Sequence, residues 1–82
     1  MTNDLAVTLR AVLARIAPEA DLDAVDDHED LREALDIDSI DFLNFVIGIH
    51  ETLGVEVPEA DYPHLATIAD AVAYLAPRVT SP

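Results

Sequence analysis

Cysteine is absent from this sequence of 82 residues, so neither a disulfide nor a thiolate metal site can support its fold. Stability must come from a hydrophobic core, which the 51% of hydrophobic residues make possible. No apolar run is long enough to span a membrane, and the basic, apolar start of a signal peptide is also missing. We therefore expect a single cytoplasmic domain over residues 1–82, with a helical core at about residues 4–76.

Positive charge is also scarce. The chain has no lysine and four arginines against seventeen acids, which gives a net charge of −13. Binding to nucleic acid depends on Lys and Arg that neutralise phosphates, so the sequence excludes nucleic acid as a natural partner. The same charge repels anionic membrane surfaces. It attracts basic protein surfaces and speeds the encounter with them.

Apolar side chains recur every three or four positions in three stretches, at about residues 4–17, 38–53 and 67–76. This period predicts amphipathic helices. A short fourth helix is expected between Pro58 and Pro63, since proline suits a first helical turn and interrupts later ones. No stretch alternates as a strand does. The predicted fold is therefore all-α, a small bundle of three main helices and one short helix.

Polar and special residues mark the ends of these helices. Thr2 or Asn3 can cap the first helix, and Gly54 is placed to end the long central one. Thr67 can cap the last helix, with Asp70 at the capping-box position, and Pro77 ends it. Residues 79–82 are expected to fray.

The acidic loop, residues 19–30, separates the first two main helices and has no sustained hydrophobic period. We expect Leu22 and Val25 to point inward from it, and residues 30–35 to form one helical turn. A loop this long in a small domain is often functional. Three trial registers of a calcium-binding EF-hand loop all fail, because Arg or apolar residues fall at ligand positions.

The central helix carries two apolar stripes. The first is predicted to be core and comprises Phe42, Phe45, Val46, Ile49 and Leu53. The second stripe, Ile40, Leu43 and Ile47, lies to one side and is flanked by Asp41, Asn44 and Glu51. A surface helix needs only one apolar face. The second stripe therefore has two interpretations: it packs under the acidic loop, or it binds a partner protein with the acids as a charged rim.

The central helix begins at Asp38-Ser39-Ile40-Asp41. Asp38 is a good N-cap, and Asp41 gives a short-armed capping box that suits the positive end of the helix dipole. Ser39 then occupies the first helical position, beside unpaired N–H groups. A phosphate on its hydroxyl would lie where helix N-termini favour anions. On spacing alone, however, the stretch is an ordinary capped helix start.

Patterns typical of catalysis are missing. Ser39 does not lie in a G-x-S-x-G elbow, and the two glycines of the chain cannot form a phosphate-binding glycine-rich loop. His28, His50 and His64 lack the spacing of metal ligands. We therefore predict no catalytic residue, no metal site and no enzymatic activity.

Three short motifs carry a resemblance to a known family. They are Leu31-x-x-x-Leu35-x-x-Asp38-Ser39-Ile40, Val57-Pro58-Glu59 before a short helix, and Thr67-Ile68 at the last helix. In this order, after a long acidic loop, they resemble the acyl carrier protein family, with its peptidyl- and aminoacyl-carrying relatives. The resemblance covers about residues 5–76, and its centre is close to the family's Asp-Ser-Leu signature.

The resemblance implies a function and a set of partners. Ser39, next to Asp38, would carry a 4′-phosphopantetheine whose thiol holds an acyl-type cargo as a thioester. A phosphopantetheinyl transferase would attach this group. Acyl- or aminoacyl-loading ligases and synthase or transferase enzymes would dock through basic patches on a monomeric carrier. Their contacts would be Ile40, Asp41, Leu43, Ile47 and Glu51.

Three positions depart from the family pattern. Asp36 stands where the family commonly has glycine, and Asn44 and His50 stand where acids are expected. These departures favour a specialised carrier over the housekeeping fatty-acid carrier, with a polyketide intermediate, an unusual fatty acyl chain or an amino acid as cargo. The alternatives are an unmodified acidic interaction module with a carrier-like fold and a small hydrolase that uses Ser39.

Overall fold

A computed structural model gives the fold, and it describes residues 2–79, with side chains from Asp4 onward. Four α-helices and two 3₁₀ helices follow one another, with no strand among these residues. The α-helices are α1 (Thr2–Ile16), α2 (Leu31–Leu35), α3 (Ser39–Leu53) and α4 (Ile68–Leu75), and the 3₁₀ helices are Leu22–Ala24 and Glu59–Leu65. The predicted all-α bundle is confirmed.

The two ends of the described chain differ slightly from expectation. Helix α1 begins at Thr2. The side chains of Thr2 and Asn3 lie outside the described ones, so the cap predicted at one of them stays a prediction. At the other end, the N–H of Val79 donates to the carbonyl of Leu75 at 2.9 Å, and Val79 packs against the core. The prediction that Val79 frays is therefore wrong. The same prediction for residues 80–82 falls outside the described residues.

Helices α1, α3 and α4 enclose the hydrophobic core. The largest fully buried side chains are Leu9, Leu13, Leu31, Phe45, Ile49, Leu65, Ile68 and Leu75. Gly48 lies where α3 meets α1, and a Cβ on it would stand 2.5 Å from Cγ1 of Val12. Because real Cβ atoms do not come this close, the glycine allows the two helices to approach. The first stripe of α3 is confirmed as core, with Phe42 and Leu53 half-buried at its edges.

The acidic loop is tied to the bundle at several points. Val25 is buried and Leu22 is half-buried, as predicted. The guanidinium of Arg10 on α1 donates to the carbonyl of Leu22 and forms an ion pair with Asp27. The carbonyl of Asp27 accepts from the N–H of Ala69 at 2.9 Å, so the loop connects α1 to the start of α4.

The second 3₁₀ helix differs from its prediction in two respects. Pro58 caps this helix instead of opening it, and Pro63 lies inside it. The fixed φ of proline suits a helical turn, and although Pro63 has no N–H to donate, its carbonyl accepts from the N–H of Ala66 at 3.3 Å and closes the last turn. The hydroxyl of Tyr74 donates to Oδ2 of Asp61 at 2.6 Å, which joins this helix to α4 and raises the pKa of Tyr74.

Candidate functional site

The start of α3 is set by the residues that join it to α2. Asp36 ends α2 in the left-handed conformation, with φ 53°. The N–H groups of Asp36 and Ile37 both donate to the carbonyl of Arg32, and the side chain of Ile37 is buried. This tight reversal anchors the linker in the core and leaves Ser39 exposed at the first position of α3.

Asp38 caps α3 as predicted. Its Oδ1 accepts from the N–H of Asp41 at 2.9 Å. The return bond of a capping box, from the Asp41 side chain to the Asp38 N–H, is not among the hydrogen bonds of the described residues; the aspartate arm is one methylene shorter than that of glutamate. No acceptor in the described part of the chain meets the N–H groups of Ser39 or Ile40. They remain available to an anion.

Arg32 is a site residue that the sequence analysis missed. Its Nη2 donates to Oγ of Ser39 at 3.1 Å, while its backbone N–H is held by Oδ1 of Asp30 at 3.0 Å. The signal available in the sequence was its isolation, since it is the only cationic Arg or Lys between Arg15 and Arg78. Sequence spacing alone does not bring residues seven apart into contact across a helix break.

An open cleft of about 560 Å³ borders Ser39. Residues in α2, α3 and the second 3₁₀ helix, or directly next to them, form it. They are Asp30, Arg32, Ser39, Phe42, Leu43, Glu59, Tyr62, Pro63 and Ala66. Its apolar wall includes Phe42 and Tyr62, whose rings meet edge to face at 5.9 Å. The cleft thus combines charged side chains, Asp30, Arg32 and Glu59, with apolar ones.

The second stripe lies on the surface. Ile40, Leu43 and Ile47 are 70%, 44% and 46% exposed, so the acidic loop does not cover them. Among residues 4–79, Val7 on α1 is the only other large apolar side chain that is exposed. Of the predicted flanking residues, Asn44 and Glu51 are exposed and Asp41 is half-buried. The interpretation that places this stripe under the loop is therefore wrong, while its role in partner binding stays a prediction.

Residues 2–79 contain neither a cluster of metal ligands nor a membrane-spanning helix. No three His, Asp or Glu side chains in this range converge as metal ligands. None of the helices in this range is both long enough and apolar enough to cross a membrane.

Comparison with known proteins identifies the family. The model of the phosphopantetheine attachment site family matches residues 7–75. An acyl carrier protein of Lactobacillus acidophilus is 32% identical over 57 residues, which are 70% of this chain and 71% of that protein. The acyl carrier protein of Renibacterium salmoninarum is 38% identical over 61 residues, or 74% of this chain and 70% of that protein. The chain belongs to the phosphopantetheine-binding family of acyl carrier proteins.

Membership in this family confirms several predictions. The protein is a carrier and not an enzyme, so the hydrolase alternative is withdrawn. The family's cofactor is 4′-phosphopantetheine, as expected. The residues at the start of α3 fit such a group, because an exposed hydroxyl, a guanidinium and two free N–H groups lie together there. In this family, a transferase attaches the cofactor and synthase enzymes use it.

Proposed function

We propose that Ser39 is the attachment residue and that the chain presents acyl-type cargo to partner enzymes from the start of α3. The observation that carries this proposal is the position of Ser39. It is the only serine between residues 7 and 75, the range that matches the family, and its hydroxyl is exposed at a capped helix start. The other serine of the chain, Ser81, lies beyond that range.

The chemistry of attachment suits this location. The Oγ of Ser39 forms a bond to the phosphorus of the pantetheine phosphate in coenzyme A, the pyrophosphate bond breaks, and the adenosine bisphosphate half leaves. The hydroxyl proton passes to solvent or to the transferase. The phosphodiester that results carries one negative charge, which is favoured at the positive end of α3. When bound, the group supplies a thiol that holds cargo as a thioester.

Partner enzymes would dock on the second stripe and its acidic rim. Exposed apolar side chains beside Asp41 and Glu51 make a small patch with a charged edge, which suits a short-lived interface. The net charge of −13 steers basic surfaces toward the chain. On this basis we assign Ile40, Asp41, Leu43, Ile47 and Glu51 to docking of the transferase, loading ligases and synthase enzymes with basic patches.

A specialised role forms part of the same proposal. Asn44 and His50 are both exposed on α3, so the docking helix presents fewer acids than the typical fatty-acid carrier that the sequence resembles. A different charge pattern selects a different partner set. The proposed cargo is a polyketide intermediate, an unusual fatty acyl chain or an amino acid, carried by a monomer. A cytoplasmic location stays a prediction from the sequence.

Intact-mass measurement after treatment with coenzyme A and a broad-specificity phosphopantetheinyl transferase tests the attachment. The wild type and the matched control Ser81→Ala should each gain one phosphopantetheine, and Ser39→Ala should gain none. Circular dichroism should show the same helicity in all three. If no transferase modifies the wild type, the attachment proposal fails and the unmodified acidic interaction module replaces it.

A further inference from the structure

Two of the four arginines have side-chain partners that account for their positions without a ligand. Arg10 forms an ion pair with Asp27, and Arg78 lies 3.8 Å above the ring of Tyr74 and donates to its carbonyl. Arg15 is exposed beside the groove between α1 and α3, and no side-chain hydrogen bond or ion pair of it is found within the described residues. Arg32 is different, because its only side-chain hydrogen bond within the described residues goes to the neutral hydroxyl of Ser39.

Arg32, like Arg15 and Arg78, has no carboxylate partner among the described residues, but it alone of these three donates to the side chain of Ser39. The chain has seventeen acids, yet the one ion pair within 4.0 Å in the described residues joins Arg10 to Asp27. Asp30 is near in sequence, but its Oδ1 accepts from the backbone N–H groups of Arg32 and Glu33. The carboxylate of Asp30 thus caps α2, and the guanidinium of Arg32 donates to Ser39 instead.

A phosphodiester on Ser39 would supply the missing partner. Its non-bridging oxygens are one bond beyond the phosphorus attached to Oγ, and Nη2 of Arg32 is already 3.1 Å from that Oγ. A guanidinium binds phosphate oxygens through charge-assisted and often bidentate hydrogen bonds, which are stronger than a bond to a neutral hydroxyl. The backbone of Arg32 is fixed by the cap of α2 and by the turn at Asp36, so only the side chain must adjust.

We propose that Arg32 binds the phosphodiester carried by Ser39. This inference rests on the proposed attachment at Ser39. Arg32 and Ser39 both line the cleft, as do the acids Asp30 and Glu59. Of the second stripe, Leu43 lines the cleft, whereas Ile40 and Ile47 do not. Pairing on the Arg32 side therefore leaves most of the docking surface free while the arm is attached.

The test compares apo and modified forms of the wild type, Arg32→Gln and the matched control Arg15→Gln. Attachment at Ser39 is first verified by intact mass and fragmentation. The melting temperature is then measured for each pair. Modification should raise the melting temperature of the wild type and of Arg15→Gln by about 2–5 °C more than it raises that of Arg32→Gln. This advantage should shrink in about 1 M salt, because the pair is exposed.

A ³¹P spectrum of the same samples gives a readout that does not depend on stability. The phosphodiester resonance should move in Arg32→Gln and stay in place in Arg15→Gln. Arg32→Lys, which retains charge but loses the planar fork, should give a smaller stabilisation than arginine. Equal melting shifts and identical ³¹P resonances in all modified variants would overturn the role of Arg32 while attachment at Ser39 stands. Failure of attachment itself would overturn both proposals.

Discussion

Helices α3 and α4 begin with the same local arrangement. Oδ1 of Asp38 accepts from the N–H of Asp41 at 2.9 Å, and Oγ1 of Thr67 accepts from the N–H of Asp70 at 3.0 Å. Each helix thus has a capping side chain and an aspartate at its third position. The surroundings of the two starts differ. A comparison of the two helix starts therefore distinguishes the contribution of the cap from that of its surroundings.

At α4 the first turn is closed by the rest of the molecule. Its first residue, Ile68, is 1% exposed, and the N–H of Ala69 donates to the carbonyl of Asp27 in the acidic loop. At α3 the equivalent positions hold Ser39 and Ile40, which are exposed and whose N–H groups are free. The cap stabilises a helix in both places. An attachment site additionally requires an open first turn.

The largest expected difference between the two helix starts is the stability that is lost when Ile68 or Ile40 is replaced by alanine. Ile68→Ala should lower the free energy of unfolding by about 2–4 kcal/mol, because it leaves a cavity in the core. Ile40→Ala should change it by less than about 0.5 kcal/mol, because that side chain is already in solvent. Urea denaturation of both variants measures the contrast. Similar losses at the two positions would mean that Ile40 belongs to the core.

A charge on the exposed start should weaken docking. Ile40→Asp is expected to lower kcat/KM for modification by the transferase about tenfold, equivalent to about 1.4 kcal/mol, because it places an unpaired charge in the interface. Val7→Asp provides the matched control, since Val7 is 67% exposed on α1 and the added charge is the same. If both variants lose activity equally, added negative charge and not contact with the second stripe explains the loss.

Removing either cap should have a similar effect on stability and an unequal effect on function. Asp38→Ala and Thr67→Ala should each lower the free energy of unfolding by about 1 kcal/mol, because each leaves an N–H in the first turn without its acceptor. Only Asp38→Ala should also slow modification. Denaturation curves and transferase rates on the same samples test this, and slowing by Thr67→Ala alone would contradict the proposed location of the site.

The smallest expected effect concerns the turn that leads into α3. Asp36→Gly should raise the free energy of unfolding by about 0.5–1 kcal/mol, since φ is 53° there and glycine adopts this conformation without a Cβ penalty. Gly54, with φ 71°, occupies the corresponding turn after α3, so Gly54→Asp should have the opposite sign. A loss of stability in Asp36→Gly would show that the aspartate side chain itself stabilises the turn.

Local patterns predicted much of this architecture. Hydrophobic spacing gave the three main helices, and the caps Asp38 and Thr67 follow from short-range chemistry that a sequence displays directly. Pro63 was misjudged because a 3₁₀ helix can begin a new turn at the proline carbonyl. The two stripes of α3 were visible in sequence, but whether the acidic loop covers the second was decided only by how that loop folds over α1 and α4.

Contacts across the break between α2 and α3 could not be read from spacing. Arg32 reaches Ser39 only because Asp36 adopts a left-handed conformation and Ile37 anchors the linker in the core. The cleft likewise depends on how the second 3₁₀ helix packs beside Phe42. Such features arise from tertiary packing of segments whose local sequence is compatible with several arrangements.

The most direct test is a backbone amide map by ¹H–¹⁵N NMR before and after modification with coenzyme A and the transferase. We expect one added phosphopantetheine and chemical-shift changes centred on Ser39 and Ile40, with a change at the Arg32 side-chain N–H. The start of α4, from Ile68 to Asp70, should be unchanged. Absence of the added mass, or shift changes centred away from the start of α3, would contradict the claim that this open helix start is the attachment site.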